Sequence, residues 1–437
     1  MSETIEVAPD DASGGDSEPS VVLDDEPETE EEIEPIYSAH AEVDATRLRA
    51  EDRGASDVRI SRDVLSIAPH ADAGELLRTA PGVFVARSEG DAVAQRIMLR
   101  GFDAEHGQDL ELTLDGIPIN QPSHLHGQGY ADLGFLIPEV VRSIRITEGV
   151  YDPRQGDFAV AGTADFELGV EERGLRFQTS TGSFRTFRQV AIWAPRGEDS
   201  DTFGAASFRR TDGFGAHRAG RSGSVLVQQG FGEAARRWRV LGSFHAARAD
   251  MAGVVRADDV ASGDVGFYDV YDDPSARAQN AASVRAQVAA RGERRGANGQ
   301  NGEIAIWALF QDFRLQENLT GYTRRSTTNP TWVGRGDLIE QRNRNTAVGI
   351  RARHRSEELR PLEWLHGHLE LGIASRADLI EQQQNLLEVP ENQTWDELID
   401  ASIVAFDVGA YADADIHLTE RFRVRGGARA DLLAYEV

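Results

Sequence analysis

Hydrophobic and polar positions divide this chain into two textures that meet near residue 170. On the N-terminal side the pattern is mixed. Asp72 is placed to cap a short helix through Glu75-Leu-Leu-Arg78, which Ala80-Pro-Gly82 stops, because Pro cannot extend a helix and Gly accepts positive φ. Strands are predicted at Val58–Ile60, Val83–Val85, Arg96–Leu99, Leu110–Leu114, Ser143–Thr147 and Ala164–Leu168, with a tight hairpin turn at Asp115-Gly116. Short helical turns are predicted at Tyr130–Leu136 and Glu139–Arg142. The elements from Asp72 onward make a compact α+β unit over residues 71–170, with the Val58–Ile60 strand in the stretch before it.

Beyond residue 170 the period is two. In Phe422–Leu432, Phe422, Val424, Ala428, Ala430 and Leu432 share one face, and Arg423, Arg425, Arg429 and Asp431 share the other. Leu365, Leu369, Leu371 and Ile373 likewise stand opposite His366, His368 and Glu370. Tight turns such as Pro195–Asp199 alternate with long loops such as Ala249–Arg277 and Tyr322–Asp337. Short turns on one rim and long loops on the other predict a transmembrane antiparallel β-barrel rather than a soluble sandwich.

Composition narrows this picture. A length of 437 residues implies more than one domain. Residues 1–34 carry only acidic charges and too little apolar area to fold, so they read as an acidic disordered tail; residues 35–70 read as a linker. A net charge of −27 argues against a nucleic-acid partner, which needs a basic face. With no Cys, thiolate metal sites and cysteine nucleophiles are excluded. No apolar run reaches the ~18 residues of a transmembrane helix, but barrel strands need only about 9–11. Met1–Ser20 lacks the basic start and apolar core of a signal peptide, which alone reads as cytoplasmic; a processed chain or misplaced start gives the same sequence.

Five motifs in one order then carry a resemblance. They are Glu75-Leu-Leu-Arg-Thr-Ala-Pro-Gly-Val83, Arg96-Ile-Met-Leu-Arg-Gly-Phe102, Leu112-Thr-Leu-Asp-Gly-Ile-Pro-Ile-Asn120, Ile137–Gly149 and Tyr151–Gly169. Together they resemble the plug domain of TonB-dependent outer-membrane receptors. The resemblance implies a plug at 71–170 and the N-terminal part of a barrel at 171–437. The family barrel has 22 strands, and 267 residues hold roughly eleven, at about 24 per strand and loop. A longer receptor, or a gene cut short, is therefore expected.

The resemblance also implies a function, the active import of a scarce solute such as a siderophore, cobalamin or glycan. The partners are the periplasmic TonB transducer, outer-membrane lipid and a small-molecule ligand that could be a metal chelate, with no cofactor and no enzymatic step. Pro81, Gly82, Arg100, Gly101, Asp115, Gly116, Glu148 and Gly149 are expected to shape the plug, with Arg100 pairing Asp115 or Glu148. The loop after the hairpin is expected at the plug apex, where His124, His126, Gln128 and Tyr130 would meet substrate. A TonB box, which pairs by strand addition, is assigned to Thr4, Ile5, Glu6, Val7 and Ala8, with Ile36–Val43 as the second candidate. Two alternatives stand beside import: a truncated surface binding protein, and a metal enzyme using His106, His124 and His126, since His-x-His on a strand puts both rings on one face.

Overall fold

The computed structural model describes residues 56–437 apart from 88–89, 198–200, 234, 319–337, 363 and 420. Both TonB-box candidates lie outside the described residues. The first folded unit holds β1 (Asp57–Ser61), β2 (Val83–Ala86), β3 (Arg96–Leu99), β4 (Phe102–Ala104), β5 (Leu110–Leu114), β6 (Ile117–Pro118), β7 (Val141–Glu148) and β8 (Gly162–Leu168). Five of these form a sheet in the order β1-β7-β8-β5-β6, and β2, β3 and β4 form a second. β1 falls in the stretch read as linker, yet it pairs with β7 along its whole length, so the folded unit begins before residue 71.

Local chemistry explains these elements. Asp72 Oδ1 accepts from the Glu75 amide (3.1 Å) at the start of the 3₁₀ helix Gly74–Thr79. The hairpin β5–β6 turns on Asp115 (φ 49) and Gly116 (φ 76), the double positive φ of a type I′ turn. At Gly162 the backbone itself forbids a side chain: a Cβ would sit 2.3 Å from the Thr147 carbonyl oxygen. Glu139–Arg142, expected as a helical turn, is divided between a 3₁₀ turn at Pro138–Val140 and the first residues of β7. A second expectation fails outright. Tyr130–Leu136 is irregular rather than helical, because most of its side chains are buried and it presents no polar face for a helix to turn to water.

The second texture is one antiparallel sheet. Its strands are β9 (Gly174–Gly182), β10 (Thr186–Ala194), β11 (Phe203–Thr211), β12 (Gly220–Glu233), β13 (Arg236–Asp250), β14 (Asn280–Arg295), β15 (Asn301–Glu317), β16 (Leu338–Arg355), the short β17 (Leu359–Leu362), β18 (Leu365–Glu388), β19 (Gln393–Thr419) and β20 (Phe422–Glu436). Eleven of them follow one another in sequence order, with β17 on the side of β18. The sheet is not closed; β9 and β20 are its edges.

The alternation sorts the faces as expected. Trp238, Val240 and Phe244 of β13 are exposed on the outer face, and Gly242 and Ala246 complete an apolar stripe about 26 Å long along the tilted strand, enough to cross a hydrocarbon band. The inner face is buried against the first unit. Val190, Ile192, Phe203, Leu226, Leu241, Trp307 and Leu309 join one core with Leu112, Ile144 and Phe166. The α+β unit therefore plugs the concave side of the sheet. The β14–β15 turn marks a short-turn rim, and the connection β13–β14 marks a long-loop rim.

Candidate functional site

The loop from Asn120 to Tyr130 lies toward the long-loop rim and is built around one side chain. Asn120 is fully buried. Its Oδ1 accepts from the Leu112 amide (2.8 Å), and its Nδ2 faces the carbonyls of Gly107 (2.9 Å), Leu110 (3.0 Å) and Gly129 (3.0 Å) as donor. One amide thus ties the end of the hairpin to both sides of the loop.

The same loop is fastened to the wall. Arg376 Nη1 of β18 donates to the Asn120 carbonyl (2.6 Å). Asn343 Nδ2 of β16 donates to Gln121 Oε1 (3.2 Å), and Gln382 Nε2 of β18 donates to Ser123 Oγ (3.1 Å). His126 Nδ1 lies 3.3 Å from Gln341 Oε1. Three of these four links join uncharged groups on both sides.

The expected ligand contacts divide in two. His124 and Tyr130 are buried, with their rings stacked at 4.1 Å and 6°, and both pack on Phe313 of β15. The Tyr130 hydroxyl accepts from the Ala94 amide (2.8 Å). In this state neither is offered to a solute. His126 is half-buried and Gln128 exposed. The His106 and His126 rings lie 4.7 Å apart, but His106 Nδ1 is committed to the Ala94 carbonyl (2.8 Å) and His124 Nδ1 accepts from the His126 amide (3.1 Å). Among the described residues no three His, Cys, Asp or Glu side chains are grouped to hold a metal.

Burial, and then the proximity of His126 and His106, holds the His124 imidazole well below its ordinary value near 6.5. The unfolded chain therefore takes up a proton at this residue that the folded chain refuses. Stability from this group is complete above about pH 6.5 and is lost as pH falls below it, by at most about 1.4 kcal/mol per pH unit. Thermal unfolding of the purified chain between pH 8 and 5 is expected to show a steeper acid loss in the wild type than in His124→Phe, which keeps the ring stack. Parallel curves for the two proteins would remove His124 as the cause.

Toward the short-turn rim the fastening is ionic. Arg291 Nη1 of β14 and Arg239 Nη1 of β13 lie 3.4 and 3.6 Å from Asp115 Oδ1 at the hairpin tip. Arg351 of β16 donates to the Gly116 carbonyl. Glu303 of β15 receives Arg291 and Arg353, each at 3.0 Å. Burial pushes the Asp115 carboxyl up to about 6 against the pull of the two guanidiniums. Arg154 of the plug pairs with Glu370 of β18, which also accepts from the Tyr411 hydroxyl of β19 (2.8 Å).

The motif residues are local scaffolding. Gly82 (φ 74) accepts the Arg100 amide (2.7 Å), Arg100 and Gly101 also take positive φ, and Pro81 is exposed beside them. Arg100 pairs with Glu148, while Asp115 goes to the wall. The Gly149 amide donates to the Ala161 carbonyl (2.7 Å). Sequence reasoning missed the wall partners Gln341, Asn343, Glu370, Arg376 and Gln382. Their signal was only that each is a polar residue on the inward face of an alternating strand.

A family profile described as the TonB-dependent receptor plug domain matches residues 50–163. No curated protein sequence matches the chain. Among solved structures, the unliganded ferric citrate transporter FecA superposes with a TM-score of 0.70 at 13% identity, over 90% of this chain and 58% of that one. The pyoverdine receptor FpvA of Pseudomonas aeruginosa PAO1 gives 0.65 at 13% identity over 89% and 57%. The ferric yersiniabactin uptake receptor FyuA of Yersinia pestis gives 0.57 at 14% over 87% and 61%. The chain thus spans less than two thirds of the length of each, and at these identities the likeness is one of fold.

Proposed function

We infer that this chain, whose residues 50–163 match the TonB-dependent receptor plug domain and whose antiparallel sheet shares the fold of the FecA, FpvA and FyuA structures, serves the active import of a scarce solute across the outer membrane. The observation that carries this reading is the stopper itself. A folded unit that fills the concave face, fastened at both rims, serves no purpose in a passive pore. It suits a path opened only when work is done on it.

In this reading solute arrives at the long-loop rim and meets His126 and Gln128. TonB engages the N-terminal segment, for which we assign Thr4–Ala8. Work drawn from the inner membrane then loosens the plug, and no covalent step is involved. The ligands named for FecA, FpvA and FyuA make a metal chelate one class to test, alongside cobalamin and glycans.

A deletion strain is expected to grow poorly when one of iron, cobalamin or a complex glycan is limiting. The full-length gene should restore growth, and the same gene lacking codons 4–8 should not. Normal growth of the deletion strain under all three limitations would overturn import. Ligand captured by cells without any growth effect would favour the surface-binding alternative.

A further inference from the structure

On the outer face of the sheet, Arg210 of β11, Arg221 of β12 and Arg248 of β13 are direct register partners. Arg248 shares its face with Trp238, Val240 and Phe244, because all four fall on even positions of one regular strand. It stands two residues from the end of β13, beside the connection that marks the long-loop rim. Register partners on one face have Cβ atoms about 4.5–5.5 Å apart, so the three guanidiniums rise from a single short row. All three residues are exposed.

Like charges placed directly opposite one another on a sheet repel. None of the three forms an ion pair among the described residues. Arg210 has only the Phe187 ring, with its guanidinium carbon 6.0 Å from the centroid, at the outer limit of a cation–π contact. The acids nearby are engaged elsewhere or stand apart. Asp212 Oδ2 lies 2.6 Å from Arg185 Nε, and Asp312 Oδ2 lies 3.1 Å from Arg344 Nε. Asp250, two residues on from Arg248, forms no ion pair among the described residues. A chain with a net charge of −27 has acids to spare, yet sets none against this row.

Directly below the row the face is hollow. Ala206, Gly223 and Ala246 floor an apolar groove of about 610 Å³, walled by Phe208, Val225 and Phe244. The hollow follows from register: Phe208 stands beside Gly223, and Ala206 beside Val225. Arg221 and Arg248 close the end nearer the long loops, and Asp312 is the one acid in the lining. A greasy trough that ends on two unanswered guanidiniums fits a molecule with an apolar chain and an anionic head. The guanidinium fork matches a phosphate in particular, because it donates two parallel hydrogen bonds to neighbouring oxygens. Near the membrane interface a lipid-facing arginine costs little, so the row is tolerated where it stands.

We propose that Arg210, Arg221 and Arg248, with the groove below them, form a site for a phosphorylated lipid of the outer leaflet. The phosphate bridges the guanidiniums, and one acyl chain lies in the trough between Phe208 and Phe244. Bound there, the lipid turns a repulsive row into charge-assisted contacts and ties three strands together where their loops begin. The site rests on the sheet standing in the outer membrane with its long loops outward. It does not rest on import.

The test titrates the purified full chain, in nonionic micelles, with dipalmitoyl phosphatidic acid and reads lipid adducts by native mass spectrometry. One saturable adduct is expected. Its affinity should fall about tenfold or more in the Arg221→Gln, Arg248→Gln double variant, as loss of charge-assisted bonds implies. Arg342→Gln removes an exposed charge from the same face of β16 and should leave binding as it was. Gly223→Leu keeps every arginine but fills the trough, and should weaken binding as well. Its added Cβ meets only the Ser207 carbonyl oxygen, at 3.8 Å, so the strand accommodates it. With like charges removed, the double variant should melt no lower than the wild type, which separates lost binding from lost fold. Equal binding of dipalmitoylglycerol would show a groove indifferent to the head, and displacement of the lipid by equimolar inorganic phosphate would show a free-ion site. Either result, or phosphatidic acid bound equally by the double variant, would overturn the lipid site.

Discussion

Asn120→Ala is expected to lower the stability of the plug by about 3–5 kcal/mol, although the substitution removes no charge and little apolar area. Four polar contacts end on this one amide, its two N–H groups shared among three carbonyls, and all four partners are backbone groups. Alanine leaves the Leu112 N–H and three carbonyls in a dry site, each at the cost of a buried group left unmatched. Asn120→Asp should be worse despite its equal shape, since a carboxylate oxygen would face the carbonyls of Gly107, Leu110 and Gly129. Thermal unfolding of the purified chain in micelles, with limited proteolysis of the 120–130 loop, reads both effects. If Asn120→Asp melts where the wild type does, the amide is not the organiser of the loop.

The second large effect is expected at Arg154 and Glu370, which face each other between plug and wall with side-chain exposures of 15% and 5%. Removing either partner leaves a buried charge unanswered and should cost about 3–5 kcal/mol. The Tyr411 hydroxyl would lose its acceptor in Glu370→Ala and keep it in Arg154→Ala, so the Glu370 variant should be the more damaged. Removing both should cost clearly less than the sum of the single losses, because no charge is then stranded. A double-mutant cycle on unfolding free energy measures this, and strict additivity would show that the pair is not coupled.

These two predictions mark where sequence reading succeeds and stops. The Asp115-Gly116 turn, the strands around it and the two-faced barrel strands were legible because each depends on neighbours a few residues away. Positive φ, a period of two and a helix cap are local facts. Asn120 stood inside a quoted motif, yet nothing local distinguished a residue that binds ligand from one that binds backbone. For His124 and Tyr130 the same ambiguity led to an expectation of solute contact, whereas their rings pack on Phe313, nearly two hundred residues away in the chain. The reading of Tyr130–Leu136 as helical turns failed for a related reason: its apolar side chains are satisfied by wall and plug together, and only the assembled lumen supplies both. Arg154–Glu370 joins a plug loop to β18 across a sequence separation of 216 residues. Period alone tells which face a side chain takes but not its height along the neighbouring strand.

Two sets of plug fastenings differ in reach. At the Asn120–Tyr130 loop the links to β16 and β18 are mostly neutral hydrogen bonds, which fade within a fraction of an ångström of misalignment. Toward the short turns they are charge pairs, whose attraction falls only as the inverse of distance. A displacement of one or two ångströms would therefore undo the first set outright while leaving the second merely stretched. The stopper then behaves less like a cork than like a door: brittle at the latch, elastic at the hinge, and able to swing shut again because its charges never lose sight of one another.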